Sequence, residues 1–235
     1  MVAFQQLIGR HAPGPAPLER DAFVASAVPK ILSSLINAAC PRDGAPLAPH
    51  LDEIAGFYRH TPKWGAWIDP GNDADAKALT DRGLVLDSRP VLMAAPLNAI
   101  EPPTHDLKIE RATMAEVGEV NDVAYGNPAG VIAAALGEFP ATDVRGYGIR
   151  VDGELASVAS IVDVDDDAFV TMVATLPHRR GNHLASGLLT SALREARQRG
   201  KTTTSLQASK LGQGIYARLG YHALGEVHLY EKRPQ

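Results

Sequence analysis

The residues best placed to do chemistry lie in one run, Thr171 to Ala196, and in one tyrosine further along, Tyr216. Residues 169–176 are apolar and β-branched, the composition of a buried strand. Pro177 ends that strand, because proline has no N–H to give to a ladder. Arg180-Gly181-Asn182 then turns into a helix in which Ala185, Leu188, Leu189, Ala192, Leu193 and Ala196 recur at helical spacing. The turn therefore ends at a helix N-terminus, where unpaired N–H groups and the positive end of the dipole favour an anion. Gly181 has no Cβ and lets a ligand come close to the backbone.

The run Arg180-Gly181-Asn182-His183-Leu184-Ala185 resembles the Arg/Gln-x-x-Gly-x-Gly/Ala signature of the GCN5-related N-acetyltransferases (GNAT). It departs at one position: His183 stands where that family usually has its first signature glycine. A second stretch, Ser209 to Tyr221, resembles the family's Tyr-x-x-x-Gly-Phe/Tyr signature, with Tyr216 seven residues after Ser209. The resemblance implies a mixed-sheet α/β protein of the acyl-CoA N-acyltransferase fold and an acetyl-CoA-dependent N-acetyltransferase activity, a direct acyl transfer to an amine. It implies acetyl-CoA as co-substrate and no metal. Gly181, Asn182, His183, Leu184, Ala185 and Ser186 would hold its pyrophosphate, with charge from Arg179 and Arg180. Val173, Ala174 and Thr175 would offer strand backbone to the pantetheine amides, as an added strand would, and a backbone N–H there would polarise the carbonyl. Ser209 would touch the cofactor. Tyr216 would act as general acid, since a phenol pKa near 10 lies close to that of a thiol, about 8.5.

No general base is assigned. Asp163, Glu138, His183, His222 and a water held by backbone carbonyls are the candidates. Tyr125, Asn127 and Glu138 fall where the family closes over its acceptor, an amine on a small molecule or a peptide. Two rival readings stay open: a catalytically weak acyl-CoA sensor or scaffold, and a transferase of a longer acyl group. Other clusters carry less. The carboxylates of Asp163 to Asp167 lack the sixth-position Gly and twelfth-position Glu of a helix–loop–helix calcium site and read as a solvated turn. Cys40 has no obvious His partner and reads as an inert small hydrophobe.

Composition narrows the classes. Of 235 residues, 45% are hydrophobic and 21% charged, ordinary for a globular protein. Residues 1–104 hold 9 Lys+Arg and 11 Asp+Glu, leaving 14 and 16 for the rest, so each part carries −2. No basic patch points to nucleic acid. No stretch approaches the roughly 20 apolar residues of a membrane span, and the N-terminus does not read as a signal peptide. With a single cysteine, the expectation is a cytoplasmic protein without intrachain disulfides. Sheet edges in such folds often pair, so a homodimer is compatible with the reading.

The elements that must position these groups divide at a Pro-containing linker, residues 98–105. The expected domains are 1–104, a degenerate GNAT-like region, and 105–235, the catalytic GNAT domain, in a pseudo-tandem arrangement. A weak repeat supports this: a shift of 137 residues places Leu79 on Tyr216, Gly83 on Gly220 and Leu92 on Leu229. In the first part we expect a short helix over 22–28 capped by Asp21, a strand or helix over 31–39, a helix over 45–60, a strand at 64–68 and a helix over 74–82 ended by Gly83. A strand region follows at 84–97, interrupted near Ser88–Pro90. The second part should open with a strand and then a helix with capping-box spacing at Thr113-Met-Ala-Glu. A short helix follows at 131–137, then a hairpin turning at Asp152-Gly153, the strand–turn–helix above, a strand at 202–206, a helix within 209–219 and a last strand at 225–232.

Overall fold

The structure is a computed structural model that describes residues 1–101 and 107–234. In chain order the first elements are α1 (Val2–His11), β1 (Leu18–Glu19), β2 (Phe23–Ala25), β3 (Ala38–Pro41), α2 (Leu51–Phe57), β4 (Trp64–Ile68), α3 (Asp73–Asp81) and β5 (Val85–Ser88). Then come β6 (Val91–Pro96), β7 (Ile109–Ala112), α4 (Met114–Tyr125), α5 (Val131–Leu136), β8 (Val144–Val151), β9 (Glu154–Val164) and β10 (Asp167–Thr175). The last are α6 (Leu184–Gln198), β11 (Thr203–Ala208), α7 (Gln213–Arg218), β12 (His222–Glu226) and β13 (His228–Lys232).

Two compact units result: Met1–Pro90 together with Glu226–Gln235, and Val91–Gly225. The division falls at Pro90–Val91, not at the Pro-containing segment 98–105, half of which lies outside the described residues. The first unit has a sheet in the order β1-β2-β3-β4-β13-β5, the second a sheet in the order β12-β6-β11-β10-β9-β8-β7. The interrupted strand region 84–97 is thus two strands in two sheets, broken where Pro90 offers no ladder N–H. The expected single strand 225–232 is likewise two strands, β12 and β13, parted at Val227, whose N–H bonds Pro90 O at 3.0 Å. Each sheet takes in, beside its central parallel pair, a strand that sequence order would give to the other.

In the first unit, Phe23, Leu51, Ile54, Tyr58, Leu79 and Leu84 form the core, with the Tyr58 and Trp64 rings stacked at 4.6 Å. The expected helix over 22–28 is instead β2, paired on both sides by β1 and β3 and wholly buried. A short run buried on both faces shows no alternation, so its period does not separate strand from helix. Residues 31–39 mostly form a turn leading into β3, and the helix over 45–60 shrinks to a 3₁₀ turn at 48–50 and α2. Helix α1, which buries Phe4, Leu7 and Ile8, was not expected from sequence.

The second unit follows expectation more closely. Thr113 and Glu116 form the reciprocal capping box of α4. Asp152 and Gly153 both adopt positive φ, +53° and +81°, the pairing a two-residue hairpin turn requires. Helix α6 buries Leu188, Leu189, Ala192, Leu193 and Ala196 against β8, β9 and β10.

Candidate active site

Two features of β10 create the site. Its parallel pairing with β11 runs only from Asp167↔Thr203 to Val170↔Leu206, so the rest of β10 leaves one edge without a strand partner on that side. Against β9, the register slips between Thr171↔Ser160 and Ala174↔Val158, two residues opposing one. That is a β-bulge, and Met172 within it has φ +52°. The bulge reverses which residues face which neighbour. Before it, Ala168 O faces β11, accepting from Thr204 Oγ1 at 2.8 Å, and Thr171 O faces β9, accepting from Ser160 Oγ at 3.2 Å. After it, Ala174 O accepts from Ser157 Oγ and Leu176 N donates to Ala156 O, so even-numbered residues now face β9. The backbone groups of Val173 and Thr175 therefore face the gap.

A cavity of about 720 Å³ occupies that gap. All thirteen residues expected from sequence border it. Val173, Ala174 and Thr175 come from β10. Arg179, Arg180, Gly181, Asn182 and His183 form the turn, Leu184, Ala185 and Ser186 the first turn of α6, and Ser209 and Tyr216 the far wall. Sequence reading placed Tyr125 only as a contact for the acceptor and did not select Arg218, Leu211 or Ile215, which also border it. The helical spacing of Leu211, Ile215 and Arg218 with Ser209 and Tyr216 was the available signal.

The turn has the features of an anion-binding helix start. No side chain caps α6, and Gly181 has φ +81° with no atom within 4 Å of where a Cβ would stand. His183 takes φ +57°, the left-handed conformation a glycine would adopt more easily, and Ser186 Oγ donates to its carbonyl at 2.9 Å. Asn182 Nδ2 donates back to Arg179 O and Arg180 O, closing the turn. The two arginines are differently employed. Arg179 pairs with Asp152 at 3.0 Å and Glu154 at 3.2 Å across the hairpin turn. Arg180 donates to Thr175 O at 3.2 Å and Ala124 O at 2.9 Å. Among the described residues, three arginines and no carboxylate border the cavity, in a chain of net charge −4.

Tyr216 is 9% exposed. Burial, with a smaller contribution from the neighbouring Tyr125 phenol, holds its pKa well above 10, so its hydroxyl stays protonated. Its ring packs edge-on to Tyr221 at 5.9 Å, and Tyr221 OH is 2.7 Å from Thr204 Oγ1. Gly212 makes room for the Tyr216 ring: a Cβ there would lie 2.8 Å from Cε2. Tyr125 OH donates to Val173 O at 3.0 Å, and burial of that hydroxyl raises its pKa despite the nearby Arg180.

Of the candidate bases, only His183 borders the cavity. Asp163 is held between Arg145 at 3.0 Å and Arg199 at 2.9 Å. Burial pushes its carboxyl up, but the bonds and charge of Arg199, with Arg145, outweigh that and leave it below the usual range. It is a structural ion pair. Residues 165–166 form the turn between β9 and β10, and no group of side chains among the described residues could hold a metal ion. Among those residues no helix is long and apolar enough to cross a membrane.

Residues 145–224, which run from β8 through the cavity walls to β12, match the family model described as an acetyltransferase (GNAT) domain. The chain carries a GNAT domain. Its fold is the mixed α/β GNAT acyltransferase fold in a pseudo-tandem arrangement. A GCN5-related N-acetyltransferase from Kribbella flavida is 22% identical with a TM-score of 0.69, covering 98% of this chain and 93% of that one. A GNAT-family acetyltransferase structure from Novosphingobium aromaticivorans is 17% identical with a TM-score of 0.62, covering 100% and 97%. A tandem GNAT protein of the clavulanic acid biosynthesis pathway is 12% identical with a TM-score of 0.58, covering 95% and 85%. No curated protein matches the chain.

Proposed function

We propose that this chain is an acetyl-CoA-dependent N-acetyltransferase whose working site is the β10–α6–α7 cavity. The observation that carries the reading is the coincidence, around one cavity, of an uncapped helix start, an unpartnered strand edge and a protonated buried tyrosine. These fit the three parts of the co-substrate. Gly181 to Ser186 receive the diphosphate through backbone N–H groups. Val173 and Thr175 meet the pantetheine amides at the free edge of β10. The Tyr216 hydroxyl stands for the sulfur.

Acetyl-CoA, when bound, supplies a thioester carbonyl as electrophile. The Val173 N–H polarises the position the carbonyl oxygen would take. Tyr216 gives its proton to the sulfur as the C–S bond breaks, and the amine nitrogen, having lost its own proton, keeps the acetyl group. Among the described residues no carboxylate borders the cavity, and the base in this reading is a water held by backbone carbonyls. The acceptor is an amine on a small molecule or a peptide. A reducing, cytoplasmic setting suits the reading: the sole cysteine, Cys40, is buried, and desolvation pushes its thiol up to about 12.

Calorimetric titration with acetyl-CoA tests the reading, followed by turnover with a panel of amines. One site per chain is expected. Tyr216→Phe should lower kcat by about 100-fold while changing the acetyl-CoA Kd by less than about threefold. Because the Tyr216 pKa is raised, no alkaline loss of kcat from this group should appear below about pH 10. Absence of binding at millimolar acetyl-CoA would end the proposal.

A further inference from the structure

Helix α4 is fastened to the bulge of β10 by hydrogen bonds from its inner face. Asn121 Nδ2 donates to Met172 O at 3.0 Å and to Val117 O at 2.8 Å within its own helix. One turn further on, Tyr125 OH reaches Val173 O. In return, Arg180 from the turn before α6 donates to Ala124 O. Asn121 is 3% exposed and Met172 8% exposed, so neither group can count on water. Met172 is the bulge residue, in a left-handed conformation that side-chain-bearing residues rarely adopt. As the extra residue of the bulge it is left out of the ladder, and its buried carbonyl needs another partner. Asn121 is that partner, and its second bond to Val117 fixes its own rotamer on a helix held by a capping box.

The bulge turns the Val173 and Thr175 backbone groups toward the cavity. An amide that locks Met172 in place therefore acts on the Val173 N–H one residue away. We propose that Asn121 is a positioning residue for the transfer step: it holds the bulge so that the Val173 N–H points at the acyl carbonyl. The inference rests on the acetyltransferase reading and adds to it a residue that touches neither acetyl-CoA nor acceptor.

The test is isotope-edited infrared spectroscopy of acetyl-CoA labelled with ¹³C at the thioester carbonyl, bound to the full chain without acceptor. In the wild type, the bound carbonyl stretch should lie below that of the free ligand. In Asn121→Leu it should return toward the free value. kcat should fall roughly 10- to 100-fold, with the calorimetric Kd for acetyl-CoA within about threefold. Asn121→Asp keeps the side chain's size and loses the amide donor, so it should shift the band the same way if the leucine variant does not fold. An unchanged band and kcat in a folded variant would overturn the proposal. So would parallel losses in Kd and kcat, the mark of a merely structural residue. A wild type that binds acetyl-CoA with an unshifted carbonyl would also sink it, whereas a wild type that binds none would bring down the acetyltransferase reading itself.

Discussion

The two units run the same order of strand, helix, parallel strand, helix and strand, yet only in the first are the N–H groups of the turn that leads into the first of those helices held by a carboxylate of the chain. In the second unit, α6 begins without a side-chain cap, beside a glycine with space around it. In the first unit, α2 also lacks a side-chain cap, but the N–H groups at the start of the 3₁₀ turn that leads into it are already taken. The carboxylate of Asp75, 1% exposed, accepts from Leu47 N at 2.9 Å and Ala48 N at 2.7 Å, with Asn72 Nδ2 at 2.7 Å. The helix that follows has 7 residues against 15 in α6, so there is also less dipole to attract a ligand. Where the later helix carries Tyr216 into a cavity, the earlier one carries Leu79, fully buried in the core. A site in this architecture thus depends on what the chain leaves unsatisfied. A carboxylate of its own, at the right turn, converts a ligand cradle into an internal brace.

The contrast can be broken most decisively at the turn glycines. Gly181→Val, at φ +81°, should weaken acetyl-CoA binding by about 100-fold, some 2.7 kcal/mol, in a calorimetric titration. Gly44→Val, at φ +70° in the turn of the first unit, should leave that affinity unchanged. A loss of affinity at Gly44, or two sites per chain in the wild type, would mean that the first unit also binds. The brace can be probed directly. Asp75→Ala strands two backbone N–H groups and should cost about 2 kcal/mol in urea unfolding while leaving acetyl-CoA affinity intact. A neutral result would show that water replaces the carboxylate and that the first unit's turn was never closed. The smallest effect is expected at His183→Gly. It relieves a left-handed residue and should raise stability by about 1 kcal/mol, read as a higher Tm. A lower Tm would mean that the imidazole's own contacts outweigh the strain.

Much of the second unit was legible because its signals are local. Asp152-Gly153 fixes a hairpin, Thr113 and Glu116 fix a helix start, and the apolar stripe of α6 fixes both its length and its buried face. The thirteen expected site residues gather around one cavity for the same reason, since they come from three short segments whose order the sheet converts into proximity. What escaped was non-local. Nothing in the run Phe23-Val24-Ala25 tells that it will be flanked by strands on both sides, and nothing near Val227 tells that β12 and β13 will part into different sheets. The bond from Asn121 to Met172 joins residues 51 apart and depends on a bulge that no spacing announces.

The exchange of strands has a consequence for how the protein is made. The sheet of the first unit lacks its member between β4 and β5 until residues 228–232 have been synthesised. A ribosome adds about 5–20 residues per second, so β4 and β5 wait on the order of 10 s with their facing edges unpaired. The second unit has β6 in hand before the rest of its sheet emerges and can close as it appears. The order of completion is therefore the reverse of the order of synthesis. The second unit can be finished first, and the nascent first unit is the part most in need of protection from pairing with its neighbours on a polysome.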